Sequence, residues 1–181
     1  MTDQKEKYFK GKRIFPDSIT DGISIKNLID NHFNGFNAAR IQEICHLISK
    51  KMSLQDVCVG FSFSGALTPA GLGSSCIVPM IRSGIIDYIV TTGANLYHDL
   101  HHSLDLPLTQ GTPFVNDNEL FDKGIIRIYD IFMDYEVLAA TDNWLMRTFS
   151  KSEFQKRMGT RELHYLVGKF ADEVEQERGT I

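Results

Sequence analysis

Apolar residues recur at helical spacing along much of the chain, and several of these stretches begin or end at suitable capping residues. Ser24 can cap a helix that runs to about Phe33. A second helix is predicted from Asn37 to about Lys51, since its two terminal lysines suit the negative helix end. Further helices are predicted at Asn95–Leu104, Asp134–Ser150 and Thr160–Arg178.

Two apolar runs, Asp56–Phe63 and Ile85–Thr91, are predicted to be strands, and each ends in a turn of small residues. A helix follows each turn. The first of these helices starts near Pro69 and is expected to be kinked, because it contains several glycines and Pro79. Two consecutive strand–turn–helix units favour parallel βαβ architecture. Ile125–Met133 is a third strand candidate.

The strand count is low for the predicted architecture, because a doubly wound sheet usually carries more than three strands and needs both faces covered. Either a partner supplies the rest, or the chain is one piece of a larger protein. We expect residues 1–22 to form an extended arm and residues 23–181 to belong to a single domain. Expressed alone, the chain should self-associate or bind a partner, because it would expose sheet edge and apolar surface.

The composition of the chain argues against several classes of protein. The net charge is −4, which argues against a nucleic-acid partner. No run approaches the ~18 apolar residues of a membrane span, and the polar N-terminus lacks a signal core, so a cytoplasmic location is expected. Cys45, Cys58 and Cys76 are widely spaced and lie in apolar runs, which predicts buried free thiols rather than disulfides or a zinc site.

The ends of the two predicted strands are the first candidate site. Ligands of open α/β sheets bind beyond the carboxyl ends of the strands. Ser64-Gly65-Ala66 and Thr92-Gly93-Ala94 follow those ends, and their small side chains would let backbone N–H groups approach a phosphate. Neither segment is a GxGxxG motif. Tight turns in a packed sheet are the alternative interpretation.

A histidine-rich helix is the second candidate. His98, His101 and His102 have the three- and four-residue spacing of one helix face, which could ligate a metal or handle protons. A polar face beside a binding cleft is the favoured alternative, with His98 nearest the strand end. No activated nucleophile is recognisable, so no catalytic and no metal-binding residue is predicted. Carboxylates near the third strand candidate are expected to be mostly solvated helix caps: Asp130, Asp134, Glu136 and Asp142.

Longer segments of the chain resemble the deoxyhypusine synthase family. Residues 60–72 (GFSFSGALTPAGL) resemble its first nucleotide-contacting segment, and residues 84–100 (GIIDYIVTTGANLYHDL) resemble its second. Residues 120–130 and 142–145 are similar to later family segments. The pieces occur in the family's order and spacing over roughly residues 9–170. The resemblance is therefore more specific than any single motif.

This resemblance implies a Rossmann-like parallel sheet with flanking helices, of which the chain carries the N-terminal half and is thus apparently incomplete. It also implies a homotetramer-like assembly with NAD as cofactor. In the family, NAD accepts a hydride from spermidine, and an aminobutyl group passes to an active-site lysine and then to a lysine of initiation factor 5A.

The resemblance also assigns candidate roles by motif position. Ser64, Gly65 and Ala66 match the first NAD-contacting turn, and Thr92, Gly93 and Ala94 match the second. Tyr97 and His98 match substrate-binding positions, where the eukaryotic enzymes carry two acidic residues. That departure resembles the bacterial and archaeal deoxyhypusine synthase-like branch, in which the acceptor can be a small amine. No lysine here matches the family's nucleophile.

Three hypotheses follow. The chain is part of a synthase, as a fragment or one subunit of a split enzyme, and supplies part of the NAD site. Alternatively, it is a non-catalytic regulatory subunit that activates a full-length paralogue. The third hypothesis is a nucleotide-binding module unrelated to polyamines.

Overall fold

The computed structural model describes residues 3–15, 17–54 and 56–177 of the 181-residue chain. It divides into two compact units, Met1–Val59 and Gly60–Ile181. Helices make up the first unit, and the second mixes helices with two small sheets, one parallel and one antiparallel. This mixture is consistent with the predicted α/β class.

The described residues of the first unit form three α-helices, and the second and third of them agree closely with prediction. Ser24 caps the second helix as expected, because its Oγ accepts a hydrogen bond of 3.2 Å from the amide of Asn27. The third helix begins at Phe36 instead of Asn37, with Gly35 in extended conformation as its N-cap. The helices are α1 (Asp3–Glu6), α2 (Ile25–His32) and α3 (Phe36–Leu47), the last continuing as a π-helical turn (Ile48–Met52).

The second unit begins with the predicted strand–turn–helix pair. Its first helical stretch is broken into 3₁₀, π and α pieces, so the predicted kinking is confirmed. Its elements are β1 (Gly60–Phe63), a 3₁₀ turn (Thr68–Ala70), a π-helical turn (Gly73–Ile77), α4 (Val78–Arg82), β2 (Tyr88–Thr91), α5 (Gly93–Ser103), β3 (Thr109–Gln110), α6 (Asp117–Asp122), β4 (Ile125–Ile128), β5 (Ile131–Asp134), α7 (Tyr135–Phe149), a second 3₁₀ turn (Ser152–Phe154) and α8 (Thr160–Glu177).

Strands β1 and β2 pair in parallel, in a register that joins Gly60 to Tyr88 and Phe63 to Thr91. The predicted βαβ connection is therefore confirmed. Both strands are shorter than predicted, because Asp56–Val59 and Ile85–Asp87 lie outside the ladder. The in-register pairing brings the carboxyl ends of both strands to the same edge.

The prediction of one strand over Ile125–Met133 is wrong. The run folds into an antiparallel hairpin, β4–β5, with Ile128 opposite Ile131. Tyr129 adopts a positive φ of 57° at the two-residue turn, which reverses the chain in the middle of an apolar run. Strand β3 adds to the other side of β5, so β4 and β5 belong to a separate sheet instead of extending the parallel pair.

The core of the second unit forms where α5 packs against α7 and α8 and where α7 meets β5. Few apolar side chains of this unit are fully buried, which makes the buried polar groups of α5 and α7 a large share of the interior. The buried apolar residues are Ile77, Ile86, Met133, Val137, Phe170 and Ala171.

The cysteine prediction is corrected in part. The three thiols are free, but Cys58 and Cys76 are exposed and Cys45 is half-buried. Cys58 precedes the short strand β1 instead of lying inside it, and Cys76 lies in the π-helical turn Gly73–Ile77, whose buried members are Gly73 and Ile77. Within the described ranges, no helix combines the length and apolar character required to cross a membrane.

Candidate functional site

Two exposed turns lie side by side at the carboxyl edge of the parallel strand pair. Ser64–Ala66 follows β1, and Thr92–Ala94 follows β2 and opens α5. The Thr92 hydroxyl donates a hydrogen bond of 2.9 Å to the carbonyl oxygen of Gly65, which ties one turn to the other. The structure thus brings together the six residues that the sequence assigned to a cofactor.

The buried side chain of Asn95 holds the two turns in this arrangement. Its side chain is 1% exposed. Its Nδ2 donates to the Gly65 carbonyl at 3.0 Å and lies 3.0 and 3.2 Å from the hydroxyl oxygens of Thr91 and Thr92, while its Oδ1 accepts from the amide of Leu67 at 2.7 Å. One buried amide therefore holds both turns and the chain that leaves the first of them.

The backbone of the two turns is accessible to a ligand. Gly65 adopts a φ of +72°, which favours glycine, and an added Cβ at Gly65 or Gly93 would have nothing within 4 Å. Among the described residues, no side chain caps the N-terminus of α5. Because the first amides of a helix attract anions, these residues fit the phosphate groups of a dinucleotide such as NAD.

Tyr97 lies one helical turn beyond Gly93, and its hydroxyl is tied to α7. It donates to a carboxylate oxygen of Asp142 at 2.8 Å and lies 3.2 Å from the carbonyl oxygen of Leu138. Burial and the neighbouring Asp142 carboxylate raise the pKa of Tyr97, so its phenol stays protonated at neutral pH. Asp142 therefore orients Tyr97, a function beyond the solvated cap expected from sequence.

A groove with a volume of about 420 Å³ runs along α5, α7 and α8. Apolar side chains such as Leu100 and Val167 line much of it, together with Gly93 and Tyr97. Burial raises the pKa of Asp99 on its wall. The groove also contains the carboxylates of Asp172 and Glu175. Such a lining is chemically suited to an aliphatic chain that carries positive charge.

His98 does not line that groove and instead pairs with His101. Its Nδ1 lies 2.9 Å from Nε2 of His101, and Nδ1 of His101 lies 2.9 Å from the hydroxyl oxygen of Thr141 on α7. Burial lowers the pKa of His98, and burial, together with the nearby His98 and His102, lowers that of His101 to about 4. Both imidazoles are therefore neutral near pH 7.

The structure gives no support to a metal site on the histidine helix. No group of three or more histidine, cysteine, aspartate or glutamate side chains in the described part of the chain is arranged to hold a metal ion. His102 instead faces the carbonyl oxygen of Thr68 at 3.1 Å. Of the carboxylates, Asp134 caps α7 by accepting from the amide of Glu136 at 2.9 Å, as expected.

Sequence patterns missed the residues that organise the site from the interior. Asn95 was assigned only to the start of a helix, and Thr141 to no function. The one available signal for Asn95 was a polar amide at the third position of a helix whose first turn follows a strand. Nothing in the sequence indicated that His101 and Thr141, forty residues apart, are 0% exposed and in contact.

Comparison with known proteins identifies the family. The family model described as deoxyhypusine synthase matches residues 28–181. The chain belongs to the deoxyhypusine synthase family. The resemblance stated from the sequence segments is thereby confirmed.

The similar relatives come from cyanobacteria and archaea, as expected from the branch assignment. The chain is 50% identical to a deoxyhypusine synthase-like protein of Cyanothece sp. over 92% of its own length and 42% of the relative. It is 48% identical to one of Nostoc punctiforme, covering 93% and 43%. A probable deoxyhypusine synthase 2 of Methanosarcina acetivorans is 35% identical, covering 86% and 46%. The chain therefore spans less than half the length of these relatives.

Proposed function

We propose that this chain supplies part of the NAD site of an enzyme that transfers an aminobutyl group from spermidine or a related polyamine. The acceptor is a lysine of initiation factor 5A or a small amine. The proposal rests on family membership and on one observation: the turns Ser64–Ala66 and Thr92–Ala94 are exposed, interlocked through Thr92 and Asn95, and open at the N-terminus of α5.

The two turns contribute to cofactor binding in different ways. The exposed amides at the start of α5 attract phosphate oxygens, and Gly65 lets the first turn approach the ligand closely. NAD, when bound, accepts a hydride from the polyamine. Asn95 keeps the backbone of both turns fixed, which lowers the ordering entropy lost on binding.

Tyr97 and His98 are the proposed contacts for the amine substrate. Tyr97 lines a groove with apolar side chains and three carboxylates, which suits the alternating methylenes and ammonium groups of a polyamine. His98 is a neutral imidazole at pH 7 on the neighbouring face of α5. The groove and the cofactor turns meet at Gly93, which belongs to both.

The more detailed predictions about architecture are also part of this proposal. They comprise a Rossmann-like sheet whose N-terminal part this chain carries, an arm at residues 1–22 and a single domain at residues 23–181. A homotetramer-like assembly, or pairing with a complementary half or paralogue, accords with the many exposed apolar side chains of both units. A cytoplasmic location is part of the same proposal.

The test measures NAD binding by the chain with calorimetry, and then spermidine-dependent NADH formation. The second assay uses the chain alone and mixed with the full-length deoxyhypusine synthase-like protein of Cyanothece sp. Gly93→Glu introduces a carboxylate beside the cofactor turns without a steric clash, since no atom lies within 4 Å of the new Cβ. It should abolish NAD binding. Gly159→Glu is the matched control, because Gly159 is equally open and precedes α8.

The outcomes separate the three hypotheses. NAD binding that Gly93→Glu abolishes, together with spermidine-dependent NADH, supports a part of a synthase. Stimulation of the full-length relative that survives Gly93→Glu identifies a regulatory subunit instead. NAD binding unaffected by spermidine in every mixture leaves a nucleotide module. Absence of NAD binding in every mixture overturns the proposal.

A further inference from the structure

The pair of half-buried His98 and buried His101 lies at the start of a hydrogen-bond chain, and the donor and acceptor of each of its hydrogen bonds can be deduced. This series of hydrogen bonds ends at the carbonyl oxygen of Val137 on α7. This oxygen lies 2.9 Å from the hydroxyl oxygen of Thr141. Two oxygens at that distance need a proton between them, and a carbonyl has none. The Thr141 hydroxyl therefore donates to Val137.

The direction then propagates back to α5. The single hydroxyl proton of Thr141 is used on Val137, so Nδ1 of His101, 2.9 Å away, must carry the proton of that contact. Because His101 is 0% exposed, its ring is neutral and its Nε2 holds a lone pair. That lone pair lies 2.9 Å from Nδ1 of His98. His98 must therefore donate from Nδ1.

We infer that this chain of donors fixes His98 in the tautomer whose Nε2 is unprotonated, so that Nε2 accepts a proton from a protonated amine bound beside α5. His98 would be the catalytic residue of this step, and His101 and Thr141 would be positioning residues. The amine function rests on the proposed function. The tautomers themselves depend only on the contacts among His98, His101, Thr141 and Val137.

The proton transfer is balanced. One N–H bond of the ammonium group breaks, its electron pair stays on the amine nitrogen, and a new N–H bond forms at Nε2 of His98. The ring becomes an imidazolium that still donates from Nδ1 to His101. The donors and acceptors of the other hydrogen bonds in the series are therefore unchanged. Loss of the ammonium charge leaves an amine nitrogen with a free electron pair. That pair can attack a carbon, or can form a C=N bond as the adjacent carbon releases a hydride.

Other charged and titratable groups around the pair do not reverse this direction. On α5, the Tyr97 ring lies edge-on to both imidazoles, with ring centroids 5.4 and 5.2 Å away, and stays protonated. Asp142 on α7 raises the pKa of His101, while burial, His98 and His102 lower it by more. Asp99, on the other side of α5, interacts with His102 and Glu175.

The test is nitrogen-15 NMR of the imidazole rings in the 181-residue chain without ligands. The spectra should show both His98 and His101 protonated at Nδ1, the less common tautomer of a free imidazole. Thr141→Ser retains the hydroxyl and should retain both tautomers. Thr141→Val removes the acceptor and should move the proton of His101 to Nε2 and that of His98 likewise. A protonated Nε2 on His98 in the unmodified chain overturns the inference, whether or not Thr141→Val folds.

A titration with spermidine then tests the amine part in the same spectra. Spermidine should shift the Nε2 resonance of His98 more than its Nδ1 resonance, and the uncharged chain 1,8-octanediol should not. No selective shift at Nε2 overturns the function as a proton acceptor. NADH formation is not read in either measurement. A failure of the proposed hydride chemistry therefore has a separate signature from a failure of this inference.

Discussion

The helical pair α2–α3 and the helical layer α5–α7 are held together in opposite ways. Between α2 and α3, the contacts are partly exposed: Gln42 donates to the carbonyl of Ile29 at 2.6 Å, and His46 lies 2.7 Å from Asp30. Neither helix has a fully buried residue. Between α5 and α7, the buried side chains of His101 and Thr141 are in contact, and buried Asn95 joins α5 to the turn after β1.

This difference shows which region is built for geometric precision. A buried polar group must keep its partners, because an orphaned donor or acceptor costs about 1–3 kcal/mol. The exposed pairs of α2 and α3 can exchange with water at little cost. Apolar residues on α3, including Ile44 at 55% exposure, remain open to solvent instead of forming a core. The candidate site belongs to the region that contains the buried polar contacts of Asn95, His101 and Thr141.

The largest effect should come from Asn95→Ala. The change removes the side-chain contacts of Asn95 with Gly65, Leu67, Thr91 and Thr92 and should lower the free energy of unfolding by about 3 kcal/mol. NAD binding should be lost as well, because the turns are no longer held together. Urea denaturation and calorimetry measure the two effects. Asn143→Ala, at an exposed position of α7, is the control. Equal effects of both changes would contradict the conclusion that the buried Asn95 side chain holds the two turns together.

The second effect is a loss of stability in mild acid. The pKa of His101 falls from 6.5 to about 4 on folding, so the unfolded chain binds a proton more readily between those values. The stabilisation is complete above pH 6.5 and is lost as the pH falls towards 4. We expect about 2 kcal/mol less stability at pH 5 than at pH 7 from this group. Denaturation curves at both pH values, repeated with His101→Gln, measure it; an unchanged pH dependence in that variant would count against it.

A smaller effect should follow from Gly65→Ala. No atom lies within 4 Å of the added Cβ, so only the positive φ of 72° opposes the change, which should cost about 1 kcal/mol. Gly93→Ala is the matched control, because Gly93 is equally open, lies in a helix and lacks a positive φ. Thermal unfolding should show a lower midpoint for Gly65→Ala and an equal or higher one for Gly93→Ala. Equal losses would indicate that the turn tolerates side chains.

The smallest effect belongs to the exposed region. Hydrogen bonds from Lys26 and His46 lower the pKa of Asp30 from 3.8 to about 2. The stabilisation from this carboxylate is therefore present above pH 3.8 and is lost as the pH falls through about 2. Asp30→Asn should lower the unfolding midpoint slightly at pH 7, because the contacts of this carboxylate are partly exposed, and should weaken the pH dependence of the midpoint between pH 4 and 2. A loss as large as that of Asn95→Ala would abolish the contrast between the two regions.

Much of the local structure could be predicted from the sequence, because it depends on short-range rules. The cap at Ser24, the kinked stretch after Pro69 and the two parallel strands follow from side chains within a few residues of one another. The hairpin at Tyr129 could not be predicted. Its turn has no glycine or asparagine at the position with positive φ, so the apolar run is indistinguishable from one long strand.

The candidate cofactor turns were likewise accessible to sequence reasoning, since small residues after a strand are a local signal. The sequence by itself determined the family, the longer helices and the placement of Ser64–Ala66 and Thr92–Ala94 after β1 and β2. Only the tertiary structure decided that Asn95 joins the turns and that Thr141 directs the imidazole chain. Hydrogen bonds between residues 28 to 41 positions apart depend on how helices pack, and no local pattern of residues encodes that packing.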